Sequence, residues 1–244
     1  MESSNPMLSR IVKAAGTRTA GDTMTVAGTA WKTLVLLALV CFGAAFTWQA
    51  VAAGNLGIVT PALLVGGIGG LVLALVTVFR PQLAPFTAPL YAVVEGLLLG
   101  AISALYDARY AGLPRTAVVL TLATAGGMYL LYATDVIRAT PMFRKIVIGA
   151  TFGIVLASLV ALVARLFGAQ LPFLWDSSPL GIGISVVIVG VAALNLVLDF
   201  DRIEQGVRQG APRSAEWFGA FGLLVTLVWL YLEMLRLLSR LQRR

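Results

Sequence analysis

Residues 30–53 read AWKTLVLLALVCFGAAFTWQAVAA, an apolar run in which the one charged residue is Lys32. A helix needs about 20 consecutive, mostly apolar residues to cross the hydrocarbon core of a membrane. Six more runs of this kind follow, with the charged residues concentrated between them. They lie at about 57–79, 86–106, 115–134, 143–168, 179–200 and 217–239. The pattern predicts an all-α integral membrane protein with seven transmembrane helices.

The composition agrees with this fold class. The chain has 244 residues, of which 59% are hydrophobic and 12% are charged, whereas soluble domains carry about 25% charged residues. The connections are short, so we expect one seven-helix transmembrane domain at 29–244, preceded by a cytoplasmic or interfacial leader at 1–28. The leader lacks the apolar core and the small-residue cleavage site of a signal peptide.

The distribution of Lys and Arg predicts the orientation. If the N-terminus is cytoplasmic, most basic residues near the spans fall on the cytoplasmic side, as the positive-inside rule requires. The C-terminal arginines oppose this arrangement, because seven spans place them outside. They are Arg236, Arg240, Arg243 and Arg244. Either the first helices determine the orientation of the whole chain, or the last segment re-enters the membrane and returns to the cytoplasmic side.

Several functional classes are disfavoured. The net charge of +7 is spread in small groups between the spans, without a long basic tract for nucleic acid. The chain has no histidine, which removes His-metal sites and Ser-His catalysis, and the last span has no lysine for a retinal Schiff base. We therefore expect a protein that is not an enzyme and has no cofactor.

Glycine pairs spaced by four residues favour close packing of helices. The pairs are Gly66/Gly70, Gly96/Gly100 and Gly149/Gly153.

Three acids lie in or at the edge of apolar sequence: Glu95, Asp199 and Glu233. A charged side chain at the centre of a membrane costs roughly 2.5 kcal/mol or more, so such residues tend to have a function. Without histidine, a response to pH near neutrality would depend mainly on carboxylates. One alternative is that each acid joins neighbouring helices, Glu233 pairing with Arg236 one turn away. The other is that Asp199 and Glu233 converge on a polar path and share a proton.

Nearby polar residues extend these alternatives. Glu95 and Asp201 are candidates to line the path, and Asn195 is a candidate hydrogen bonder between helices. The segment DFDRIE at 199–204 begins like a calcium loop, but an EF-hand needs glycine at position six and glutamate at position twelve. Those positions hold Glu204 and Gly210. No metal site is firmly assigned, although Ca²⁺ could bind transiently near Asp199 and Glu233.

The chain resembles the Bax inhibitor-1/YccA (transmembrane Bax inhibitor motif) family, in particular its bacterial branch. The resemblance covers nearly the whole chain. It is carried by SSNP at 3–6, APLYAVVEGLLLGAIS at 88–103 and NLVLDFDRIEQGVRQGAPRSAEWFGAFGLLVTLVWLYLEMLRLLSRL at 195–241.

The resemblance implies six helices around a central C-terminal helix and a calcium leak controlled by protons. It implies that Asp199 and Glu233 form the pH sensor and gate, with Arg80 as a candidate gate partner. The second acid is aspartate in the family, one methylene shorter than Glu233. If the last helix began at Glu216, Glu233 would lie about 25 Å along it. We therefore expect part of 211–220 to lie outside the membrane.

The sequence thus predicts a pH-sensitive calcium leak channel in the inner or plasma membrane of a bacterium. Its partners would be the lipid bilayer, calcium ions and protons, and a membrane protein is a further candidate. The alternative is a non-transporting interaction protein that modulates a membrane protease or stress-response machinery.

Overall fold

The computed structural model describes residues 23–167 and 178–243. Within these ranges the chain forms seven helices that are long and apolar enough to cross a membrane. They are α1 (Val26–Ala52), α2 (Leu56–Phe79), α3 (Pro81–Arg109), α4 (Leu113–Ala133), α5 (Pro141–Leu166), α6 (Pro179–Arg208) and α7 (Ala215–Gln242). The predicted fold class and all seven spans are confirmed. Most of the predicted leader, including the SSNP motif, lies outside the described residues.

Two helices contain irregular turns. α2 opens with a 3₁₀ turn at Leu56–Ile58 and contains a π-helical turn at Val65–Gly69. α3 opens with a 3₁₀ turn at Pro81–Leu83. Proline suits the first turn of a helix because it has no N–H to leave unsatisfied.

The sixth span is longer than predicted. Hydropathy ends it near Asp199, but α6 continues to Arg208 because its polar last turns form ion pairs within the helix and with α5. Pairs three or four residues apart stabilise a helix. Gly210, at φ 64°, then lets the chain turn back.

Glycines set the close contact between α1 and α3. A Cβ added at Gly43 of α1 would lie 2.5 Å from the backbone oxygen of Val93, and one at Gly96 or Gly100 would meet the backbone of α1. The packing role predicted for Gly96 and Gly100 is therefore confirmed.

The other two glycine pairs differ from each other. Gly66 and Gly70 of α2 face Leu98 and Glu95 of α3, as predicted. The prediction for Gly149 and Gly153 is wrong, since an added Cβ at either would meet nothing within 4 Å. α5 packs chiefly against α6 and leaves these glycines uncovered.

α7 is the most buried helix. In its most apolar window 61% of the residues are buried, compared with 11–50% in the other spans. It packs against α1, α3, α4 and α6. Its residues contribute to both apolar clusters of the core. The arrangement of six helices around one stays a prediction.

The ends of α7 define two faces of the bundle. Glu216, in its first turn, bonds Thr25 before α1, and we call this side the near face. Arg240, in its last turn, bonds Gly181 at the start of α6 on the opposite side, the far face. Because α7 is one continuous helix, the suggestion that the last segment re-enters the membrane is wrong.

Candidate functional site

Asp199 lies in the interface between α6 and α7 and is 7% exposed. Its Oδ2 accepts a 2.5 Å hydrogen bond from the hydroxyl of Thr226 in α7. Its Oδ1 lies 3.4 Å from Nη1 of Arg202, whose side chain is 66% exposed. A buried carboxylate is costly unless it is hydrogen-bonded and paired, so this contact joins α6 to α7.

Glu233 is also buried, at 5% exposed. Nη1 of Arg236 donates to both of its carboxylate oxygens, at 2.7 and 2.9 Å. The ion pair predicted from the one-turn spacing is confirmed.

The two acids do not form a pair. The hydrogen bonds of Asp199 and Glu233 go to the separate partners given above, and neither carboxylate bonds the other. Thr226, which faces Asp199, precedes Glu233 by seven residues, or about 10 Å along the helix. The shared proton expected from sequence is therefore absent from this arrangement.

The register of the two antiparallel helices gives the reason. One hydrogen bond sets Asp199 opposite Thr226, and another sets Ser185 opposite Arg240 at 2.6 Å. Both pairs have residue numbers that sum to 425, so the same register places Glu233 level with Ala192. Because α6 extends to Arg208 and α7 begins at Ala215, Asp199 meets α7 two turns before Glu233.

These residues form a polar row that we call the seam. Thr226, Glu233 and Arg240 are spaced by seven residues and so share one face of α7. Asp199 and Ser185 are fourteen residues apart, twice that spacing, and so share the facing side of α6. The seam crosses the bundle from the near face towards the far face, between otherwise apolar helices.

A cavity of about 980 Å³ opens at the near face between α1, α4, α6 and α7, and we call it the vestibule. Three acids line it: Asp135, Asp201 and Glu204. Asp201 pairs with Arg144 of α5 at 2.6 Å and accepts a bond from Gln205. Glu204 accepts a hydrogen bond from Tyr132 of α4 and pairs with Arg208 at 3.0 Å.

The vestibule adjoins the seam. Ile203 and Leu223 lie in its wall, one helical turn from Asp199 and Thr226 respectively. Asp201, a candidate to line the path, lies in the wall of the vestibule, and its role there stays a prediction.

The remaining predicted residues lie away from this contact. Asn195 bonds Thr151 of α5 at 2.8 Å, which confirms its role between helices. Glu95 faces Gly70, where an added Cβ would lie 2.6 Å from its Oε2. Arg80 is exposed between α2 and α3, and its side chain has no ion pair among the described residues. The hydrogen bond and the ion pair of Asp199 go to Thr226 and Arg202, so the role of Arg80 as a gate partner stays a prediction.

Glu216 is an important residue that the sequence argument missed. Its side chain is buried, at 2% exposed. It accepts hydrogen bonds from the backbone N–H and the hydroxyl of Thr25, both at 2.9 Å, and pairs with Lys32. These contacts join the start of α7 to α1 across 191 residues of sequence, and no local signal predicts them.

Thr226 was missed as well. It is a hydroxyl within the apolar stretch LLVTLVWL, and its spacing of seven from Glu233 is the signal that could have found it. No group of three or more acids or cysteines in 23–167 and 178–243 could hold a metal ion.

A family model described as Bax inhibitor 1 like matches residues 5–243. No curated protein and no solved structure matches the chain.

Proposed function

Because the chain belongs to the Bax inhibitor 1 like family, we propose that it is a pH-sensitive calcium leak channel of a bacterial inner membrane, with its near face in the cytoplasm. The observation that carries the proposal is the seam, which places polar and charged side chains in a row through the bundle. Charged side chains at this depth usually line ion pathways or proton relays.

The vestibule would supply cations to the seam. Its carboxylates are oxygen ligands of the kind that Ca²⁺ prefers. Each described acid there is already paired with a basic side chain. A calcium ion would have to compete with these partners, so it would be bound weakly and released, as a leak requires.

The contact between Asp199 and Thr226 would be the gate. A hydrogen bond to an ionised carboxylate is stronger than one to a neutral group. Protonation of Asp199 would remove the charge that Arg202 and Thr226 bind, and so weaken the contact between α6 and α7. The leak is therefore expected to rise as the pH falls.

Glu233 would act as a second acid along the path, two turns beyond the gate. Arg236 compensates its charge in the closed arrangement, and a cation that passes the gate could replace that partner. Arg80 and Glu95 stay candidates for the open arrangement. We further propose that the protein has neither enzymatic activity nor a cofactor.

The test is calcium flux into liposomes that contain a fluorescent indicator, measured across a range of pH. The substitution Asp199→Asn removes the ionisable group from the gate. At every pH, the calcium flux of this variant should therefore equal the flux that the wild type reaches at low pH. Glu233→Gln should change the flux but keep its dependence on pH. The matched control is Asp107→Asn, because Asp107 caps the turn at Gly112 outside the seam.

Two results would refute parts of the proposal. An unchanged pH profile in Asp199→Asn would remove Asp199 from the gate. A wild type without flux at any pH would favour a non-transporting protein that acts on a membrane protease or stress-response machinery. That alternative predicts a copurifying partner and tolerance of both acid substitutions.

A further inference from the structure

A second cavity lies on the lipid side of the bundle, between α5 and α6. This groove has a volume of about 660 Å³, within the range of about 300–1,000 Å³ that is usual for ligand pockets. Its walls are small and aliphatic residues from Ala150 to Ala161 of α5 and from Pro179 to Val191 of α6. Leu180 and Val187 on its rim are each 64% exposed. The groove therefore opens towards the hydrocarbon of the membrane.

The length of the groove fits one leaflet. Eleven residues separate Ala150 from Ala161, which corresponds to about 17 Å of helix, and half of the hydrocarbon core is about 15 Å. Ala161 and Pro179 mark its end at the far face, whereas Ala150 and Val191 lie towards the middle of the bundle. An extended chain that started at the far face could follow it to the centre of the membrane.

One basic side chain, that of Arg240, lies near the far-face end of the groove. Arg240 of α7 is 4% exposed, and its Nη1 donates to the carbonyl of Gly181 at 2.5 Å and to the hydroxyl of Ser185 at 2.6 Å. Arg236, one turn deeper, also lines the groove and pairs with Glu233. By the register of α6 and α7, Arg236 and Glu233 lie level with Val189 and Ala192, towards the deep end of the groove. Arg240 is therefore the charged group in the groove that is nearest the far face.

From these features we propose that the groove is a binding site for an anionic phospholipid of the leaflet at the far face. One acyl chain would lie between α5 and α6, and the phosphate would lie at the end that carries Arg240. Guanidinium is well suited to phosphate because its donors match the phosphate oxygens. A soluble anion would leave the apolar part of the groove unfilled, so a membrane amphiphile is the better occupant.

The test is native mass spectrometry of the purified protein, titrated with phosphatidylglycerol or with phosphatidylcholine of the same acyl chains. We expect one phosphatidylglycerol to bind about fivefold more tightly, the preference that one basic group near a membrane surface gives. Gly153→Leu and Gly183→Leu should abolish the preference by filling the groove, since both positions have open space. Gly149→Leu and Gly190→Leu are matched controls on the same helices, equally open but outside the groove.

The substitution Arg240→Gln removes the positive charge near the far-face end and leaves the apolar walls of the groove unchanged. If the variant folds, as thermal unfolding will show, it should bind both lipids equally; if it does not fold, the glycine variants decide. Equal affinity of the wild type for the two lipids would overturn the proposal. A preference for phosphatidylglycerol that remains in both Gly153→Leu and Gly183→Leu would overturn it as well. Displacement of the lipid by inorganic phosphate would indicate a soluble-anion site, and equal binding of oleate would indicate a fatty-acid site.

Discussion

The substitution Thr226→Val tests the contact between α6 and α7 most directly. Valine has nearly the shape of threonine but replaces the hydroxyl by a methyl group. The variant therefore loses the 2.5 Å hydrogen bond to Asp199, while the apolar packing of α7 is retained. The second acceptor near this hydroxyl, the Gly222 carbonyl at 3.2 Å, belongs to the same helix. The loss of this second hydrogen bond therefore does not affect the interface between α6 and α7.

The size of the effect follows from the environment of the acid. A hydrogen bond to a charged group contributes about 1.5–3 kcal/mol, and Asp199 is too buried for water to replace the hydroxyl readily. Arg202 is the partner that remains, at 3.4 Å and largely exposed. If the bond forms in the closed arrangement alone, its loss raises the ratio of open to closed molecules by about 10- to 150-fold.

The assay is calcium flux in liposomes at a pH where the wild type is least active, together with thermal unfolding in detergent. Thr226→Val should leak faster and unfold at a lower temperature. Thr226→Ser, which keeps the hydroxyl, should stay close to the wild type in both measurements. The reasoning is refuted if the valine variant leaks and unfolds like the wild type, because the hydrogen bond would then stabilise neither the interface nor the closed state.

Two further predictions concern stability. Glu216→Gln should lower the unfolding temperature, because Lys32, whose side chain is 14% exposed, loses its counter-charge. Breaking a fully buried pair costs about 3–5 kcal/mol, which is the upper limit for this partly exposed one; thermal unfolding that matches the wild type would refute the prediction. Gly43→Ala should destabilise the contact of α1 with α3 by about 1–3 kcal/mol, since its new Cβ would lie 2.5 Å from the Val93 oxygen. Gly126→Ala, in open space, should be neutral or stabilising by up to about 1 kcal/mol, and an equal loss in both alanine variants would contradict the close-packing argument.

The sequence was sufficient to predict the spans because a membrane-crossing helix is encoded locally. Each one needs an apolar run of a certain length, and that information lies within the run. The extent of α6 was underestimated for the same reason. Hydropathy predicts that a span ends at its first charged residues. The ion pairs that stabilise α6 as far as Arg208 include one with Arg144 of another helix, which hydropathy does not detect.

The site was predicted less completely. Asp199 and Glu233 were identified individually as buried acids, and both are buried. Their pairing failed because it depends on the register of α6 against α7, which the helix ends and the turn at 209–214 determine. A shift of seven residues separates the expected partner, Glu233, from the observed one, Thr226. The contacts of Glu216 with α1 were equally inaccessible, because they join distant parts of the chain.

The attachment of α7 at both of its ends restricts how the bundle can move. Glu216 holds one end to α1, and Arg240 holds the other to the first turn of α6. A piston-like shift of α7 by one turn, about 5.4 Å, would break both attachments together with the bond to Asp199. Rotation about the long axis of α7 would displace the same groups. Opening is therefore expected to bend α6 or to displace α4 and α5 outwards, while α7 stays fixed as the stationary element.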